Sequence, residues 1–168
     1  PEGVTGTIVV EASTWIEDNQ WILDLGEKDP FILGVVGNLD PESKDFASNL
    51  NRFSTNPLFR GIRLRKGNLE WISNEQICSN LKRLADKDLS IDLLVDPENL
   101  PNIVTLAKGF SNLRIIINHV AKVLINGKAP SPSWIRGIET TSEFSNVYCK
   151  ISGLVERASH QPAPSNLT

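Results

Sequence analysis

At 168 residues, 40% hydrophobic and 22% charged, the chain has ordinary globular composition and enough apolar material for one core rather than two. Its 17 basic side chains are outnumbered by 20 acidic ones, giving a net charge of -3, so it lacks the basic footprint that a phosphate backbone demands and nucleic acid is excluded as the expected partner. No run approaches the roughly 18 consecutive apolar residues of a membrane span, and PEGVTG at the start lacks a charged stretch followed by an apolar one, so the expectation is a soluble, cytoplasmic chain with no membrane partner.

Cys78 and Cys149 lie far apart and show no zinc-knuckle or redox spacing, so both are read as reduced, buried thiols. The glycosylation pattern NLT at 166–168 is read as chance without a secretory signal. No methionine occurs, position 1 included, and the sequence is therefore expected to be a segment of a longer product.

Six β-rich runs recur in order: TIVVEAS from Thr7, FILGVVGNLD from Phe31, FRGIRLR from Phe59, LSIDLLV from Leu89, LRIIINH from Leu113 and NVYCKIS from Asn146. Their starts are 24, 28, 30, 24 and 33 residues apart, room for a strand, a helix and two loops. After the first run, IEDNQWILDLGEK reads as a helix. After the second, DPESKDFASNLNRF does so, with Asp40 as N-cap, Pro41 in the first turn and Phe46, Leu50 and Phe53 on one face. SNEQICSNLKRLADKD follows the third, with Ser73 and Gln76 spaced as a capping box and Ile77, Leu81 and Leu84 on the apolar stripe. DPENLPNIVTLAKGF and SPSWIRGIETTSEF supply the last two.

Strands alternating with helices at this spacing predict a parallel sheet, because each parallel neighbour needs a crossover and the helix provides it. A doubly wound sheet would show a glycine-rich phosphate turn after a strand. The glycines of GVVGNLDP fall inside the strand and before an aspartate that repels phosphate. The expected fold is therefore α/β, a partial TIM-like (β/α)8 barrel of about six β/α units.

Strands of a covered parallel sheet should be apolar throughout, so polar residues inside them need a reason. By the two-residue period, Glu11 and Ser13 share a face, as do Arg63 and Arg65, and Lys150 and Ser152. Asp92 lies within the fourth run, His119 closes the fifth, and Asn38 and Asp40 close the second. If those faces point inward, the groups converge at the C-terminal mouth, where barrel enzymes carry their sites. Structural alternatives stand beside each. Ser13, Asn38 and Asp40 read more readily as turn or helix caps; Arg63 and Arg65 read also as a solvated or salt-bridged pair, Asp92 as the anchor of a cation, and Lys150 as a snorkelling side chain. Arg63, flanked by Ile62 and Leu64, suits an inward guanidinium that holds a carboxylate at two points. His119 is the best single candidate for chemistry, against a satisfied core histidine or a cap. His160 sits in a polar, proline-bearing tail and reads as solvated.

The stretches TIVVEAS, ILGVVGNLDP, FRGIRL, LSIDLLV, LRIIINHVAK, NVYCKISGL and Trp134 of SPSW, in this order from Thr7 to Leu154, resemble the amidohydrolase-related family (amidohydrolase 2), lactonase branch, whose distorted (β/α)8 barrels hydrolyse sugar lactones and pyrone-dicarboxylate lactones. The resemblance implies that residues 1–168 are a single domain holding barrel strands two to seven and truncated at both ends. It implies that His119 binds a metal or polarises the substrate carbonyl, that Arg63 holds a substrate carboxylate or hydroxyl, and that Ser13 is the polar position after the second family strand; Lys150 and Asn38 join them as expected substrate-binding residues. Asn118 stands where many relatives have aspartate. The family's first-strand His-x-His pair and eighth-strand aspartate fall outside these residues, and DLLV ends without the fifth-strand histidine.

The expected function is thus hydrolysis of a ring C–O ester in a full-length parent, acting on a small molecule that is a lactone or carboxylated ring, with little activity in this segment alone. No metal ligand set is complete. A divalent cation such as zinc is left open for the parent, with His119 as its candidate ligand, and so is a homo-oligomer. Two other readings remain: a decarboxylating lyase needing a divalent metal, and a non-catalytic truncated barrel acting through a partner.

Overall fold

The computed structural model describes residues 3–11, 13–65 and 74–158. Ser73, His160 and the NLT pattern lie outside the described residues. Among the described residues there are six parallel strands, β1 (Thr7–Val10), β2 (Ile32–Gly37), β3 (Phe59–Leu64), β4 (Ser90–Leu93), β5 (Arg114–Ile117) and β6 (Val147–Cys149), in the spatial order β1-β2-β3-β4-β5-β6. Between them run α1 (Asp18–Gly26), α2 (Phe46–Phe53), α3 (Glu75–Asp86), α4 (Leu100–Gly109) and α5 (Pro132–Ser142), each crossing between sequential, adjacent strands. A sheet whose order follows the sequence, with a helix after each strand, is the wall of a barrel rather than a doubly wound sheet, in which the order reverses. The expected partial (β/α)8 barrel is what forms: a curled half-barrel.

The helices cover one face. Leu23, Phe46, Leu50, Phe53, Ile77, Leu81, Leu84 and Leu106 meet Val35, Ile62, Ile91, Leu93, Ile115 and Ile117 in one apolar core, all essentially inaccessible to water. Alternation along the strands then sends the intervening residues to the other, concave face. Ile62 and Leu64 enter the core, leaving Gly61 and Arg63 opposite; Ile91 and Leu93 do so, leaving Ser90 and Asp92. Register keeps these in rows, since Gly61 stands beside Ser90 and Arg63 beside Asp92. The first row is tight: a Cβ on Gly61 would lie 2.3 Å from Ser90 Oγ, so only glycine fits.

Helix starts follow local chemistry. Asn74 Oδ1 accepts the Ile77 N–H and caps α3, and Ser131 Oγ accepts the Trp134 N–H ahead of Pro132 in α5. A 3-10 turn, Pro97–Asn99, leads into α4. The expectation of a helix capped by Asp40 is corrected, because α2 begins only at Phe46. Asp40 Oδ1 instead accepts the Glu42 N–H, its carbonyl accepts the Ser43 N–H, and the Pro41 carbonyl is taken by Asn80 Nδ2 of α3 at 2.9 Å. Side chains that satisfy nearby backbone groups hold these residues in turns and delay the helix. The expected burial of both cysteines is also corrected: Cys78 is half-buried and Cys149, on the outer strand β6, is exposed. Among the described residues, no helix is long and apolar enough to cross a membrane.

Candidate functional site at the strand exits

The C-terminal ends of the strands carry a row of opposite charges along the concave face. Glu11, just past β1 and only 4% exposed, accepts from Arg65 Nε at 3.0 Å and Arg65 Nη2 at 3.1 Å. Its carbonyl takes Arg63 Nη1 at 3.4 Å, while Arg63 Nε lies 4.0 Å from the carboxylate and is buried without a hydrogen bond. Asp92, beside Arg63 in the sheet, bonds the ammonium of Lys150 beyond β6. Glu11, Arg63, Asp92 and Lys150 therefore alternate in sign, and each charged contact skips over a strand: β2 in the first case, β5 in the second. Such reach requires a concave sheet.

Burial of the Asp92 carboxyl pushes its pKa above the ordinary aspartate range; the Lys150 hydrogen bond and charge, and the charge of Arg63, pull against that rise. Below this row, Ile8, Val10, Val36, Arg60, Ser90, Asp92, Ile116 and Lys150 line a cavity of about 380 Å³ on the same face.

His119 stands beyond β5 in an unusual backbone. His119, Val120, Ala121 and Lys122 have φ of 52°, 47°, 53° and 52°, consecutive left-handed residues without a glycine. At roughly 1–2 kcal/mol per residue, such a run persists only if its surroundings over-determine it. They do. The Val120 N–H donates to the Lys150 carbonyl at 3.1 Å and the Trp134 indole Nε1–H to the Val120 carbonyl at 2.9 Å. Ala121 is fully buried in the core, Lys122 Nζ bonds Asp96 at 3.2 Å, and Arg157 Nη2 takes the Lys122 carbonyl at 3.1 Å. The half-buried His119 ring places Nδ1 2.9 Å from Ser152 Oγ.

Of the residues singled out in the sequence, Arg63, Arg65, Glu11, Asp92 and Lys150 are brought into one row, and the Val120–Lys150 backbone bond joins the His119 turn to its end. Ser13 and Asn38 are placed otherwise. Ser13 Oγ accepts the Trp15 N–H at 3.0 Å, an ordinary turn bond. The Asn38 backbone is clasped by Asn19, whose Oδ1 accepts the Asn38 N–H at 2.8 Å, and its side chain lines a separate hollow of about 410 Å³ with Thr14, Ser43 and Asn49. Ser152 as the partner of His119, and Trp134 as the clamp of its turn, escape sequence reasoning. The available signal is thin: Ser152 shares the strand parity of Lys150, and Trp134 follows a capping serine by three residues.

Among the described residues, no group of three or more His, Cys, Asp and Glu side chains could hold a metal ion. Glu11 and Asp92 are engaged by cations, and His119 stands without a companion donor.

A family model described as "Amidohydrolase" matches residues 1–167. The L-fucono-1,5-lactonase of Burkholderia ambifaria is 32% identical over 163 residues, covering 95% of this chain and 56% of that protein. Among solved structures, an amidohydrolase from Burkholderia multivorans with bound zinc superposes with a TM-score of 0.82 at 20% identity, over 92% of this chain and 56% of that one. A probable 2-pyrone-4,6-dicarboxylic acid hydrolase from Acinetobacter baumannii with citric acid bound gives a TM-score of 0.74 at 17% identity, over 97% and 58%. The chain spans about half the length of the curated relatives it matches, 56% of one and 50% of another.

Proposed function

This chain belongs to the amidohydrolase family, and on that premise we propose that the whole protein hydrolyses the ring ester of a small lactone, with residues 1–168 as a single domain supplying six of eight barrel units. The observation that carries the reading is the presentation of His119 from a braced left-handed turn at the end of a row of alternating charges at the strand exits.

Lactone hydrolysis requires a polarised carbonyl, an activated water and groups that hold the ring. His119, with Nδ1 occupied by Ser152, offers Nε2 to the carbonyl oxygen. Arg63, whose Nε is buried without a hydrogen bond, takes a substrate carboxylate or hydroxyl, and Lys150 supplies a second cationic contact held by Asp92. Ser13 and Asn38, at the exits of β1 and β2, lie outside this row and are assigned only outer contacts with the substrate. Neither buried carboxylate serves as general base, because Glu11 is held by arginine and Asp92 by lysine. The described residues do not assemble a zinc site. With no free general base among the described residues, this segment alone is expected to turn over little.

The test expresses the protein from its own gene and follows proton release from a 1,5-aldonolactone. His119→Gln should lower kcat roughly a hundredfold to a thousandfold. Undiminished turnover by that variant would remove His119 from the mechanism, and failure of the intact protein to open any lactone would sink the reading.

A further inference from the structure

Gly153 and Ser152 form a two-residue seat for the His119 ring. Ser152 Oγ lies 2.9 Å from Nδ1, and the backbone of Gly153 passes so close that a Cβ there would stand 3.1 Å from Nδ1, 3.2 Å from Cγ and 3.3 Å from Cβ of His119. Gly153 also has φ of 68°, a conformation that lets the chain turn directly under the imidazole. The seat is anchored to the histidine's own segment, because the Lys150 N–H donates to the Ile117 carbonyl and the Lys150 carbonyl accepts the Val120 N–H. The ring is thereby gripped on its Nδ1 edge, and among the described residues Nε2 has no hydrogen-bond partner.

We infer that Ser152 is a positioning residue for His119, its hydroxyl donating to Nδ1 so that the proton resides on Nε2, ready to hydrogen-bond a substrate carbonyl. The partner's chemistry matters here. A carboxylate or backbone carbonyl can only accept, and would force the proton onto Nδ1; a hydroxyl can donate. Ser152 thus suits a histidine that polarises an oxygen. The inference rests on the proposed lactone-opening reading for its catalytic meaning, but its geometry is measurable without turnover.

The experiment is ¹⁵N spectroscopy of the imidazole in the protein expressed from its own gene, with the His119 signal assigned by its loss in His119→Gln. The expected spectrum has a protonated Nε2 and an unprotonated, hydrogen-bonded Nδ1. Ser152→Ala should move the Nδ1 signal to that of a nitrogen without a donor and lower kcat roughly tenfold to a hundredfold at nearly constant KM. Ser152→Thr, which keeps the hydroxyl, should restore both. A proton found on Nδ1 in the wild type, or an Nδ1 signal indifferent to Ser152→Ala, would overturn the inference even if His119→Gln is inactive. Full activity of His119→Gln with the expected Nδ1 response in the wild type would instead leave the seat intact and remove His119 from the mechanism, whereas failure of the intact protein to open any lactone would defeat the lactone reading alone.

Discussion

The Lys150 ammonium bonds the Asp92 carboxylate across an intervening strand, since β5 separates β4 from β6. One partner is 1% exposed and the other 37%, so the pair joins a buried acid to a cation at the edge of the concave face. It closes the charge row that begins at Glu11 and ends beside the His119 turn.

This pair sets a pH dependence with a definite sign. Burial raises the Asp92 pKa in the fold, so the native state holds more protons than the unfolded chain just above the ordinary aspartate range. The stability this confers is complete below that range and is lost as pH rises through the raised native value. The difference in unfolding free energy between wild type and Asp92→Asn should therefore fall with rising pH across that window. Lys150→Met removes the bond and charge that oppose the rise, so its window should extend to higher pH. It should also cost about 1–2 kcal/mol at neutral pH, the lower part of the range for orphaning a buried acceptor because the ammonium is partly exposed. Urea midpoints measured against pH test both, and coincident curves for Lys150→Met and wild type would refute the coupling.

Arg63 and Arg65 differ in what they have left to offer. Arg65 spends Nε and Nη2 on the Glu11 carboxylate, whereas Arg63 Nε is unbonded. Arg63→Lys, which replaces a two-point fork by a single ammonium, should raise KM for a carboxylated lactone about tenfold to a hundredfold with little change in kcat. Arg65→Lys, which keeps a cation on Glu11, should change KM by less than about threefold. Equal effects in steady-state kinetics would show that the two arginines act as one.

Trp134→Phe keeps an aromatic side chain and deletes the Nε1–H bond to the Val120 carbonyl. The expected loss is about 1 kcal/mol, seen as a lower urea midpoint at unchanged slope. Exchange of the Val120 amide, which donates to Lys150, should quicken by a similar free energy. An unaltered Val120 exchange rate would mean that the indole does not brace the turn.

Gly61→Ala should destabilise the sheet by about 1–3 kcal/mol, because its Cβ would lie 2.3 Å from Ser90 Oγ and 2.4 Å from the Ser90 carbonyl oxygen. Gly109→Ala, with nothing within 4 Å, is the control and should change stability by less than about 1 kcal/mol. Thermal or urea unfolding that ranks the two alike would contradict the close approach of β3 to β4.

The sequence by itself determined the order of strands and helices. The short β-rich runs near Thr7, Phe31, Phe59, Leu89, Leu113 and Asn146 became β1 to β6, because local propensity acts over a few residues. The parallel arrangement followed from crossover length. Short-range reasoning failed where distant groups competed for a segment, as when Asn80 took the Pro41 carbonyl and α2 began late.

Only the tertiary structure decided who pairs with whom. Glu11 and Arg65 are 54 residues apart and Asp92 and Lys150 are 58 apart, and nothing in their spacing selects those partners; the curvature of the sheet does, by bringing next-nearest strands within reach. The left-handed run at His119 is likewise invisible in NHVAK, which contains no glycine. Its strain is tolerated because Trp134, Asp96 and the pair Lys150 and Ser152, from three other stretches of chain, bond it there, and a conformation imposed by remote contacts leaves no mark on local sequence.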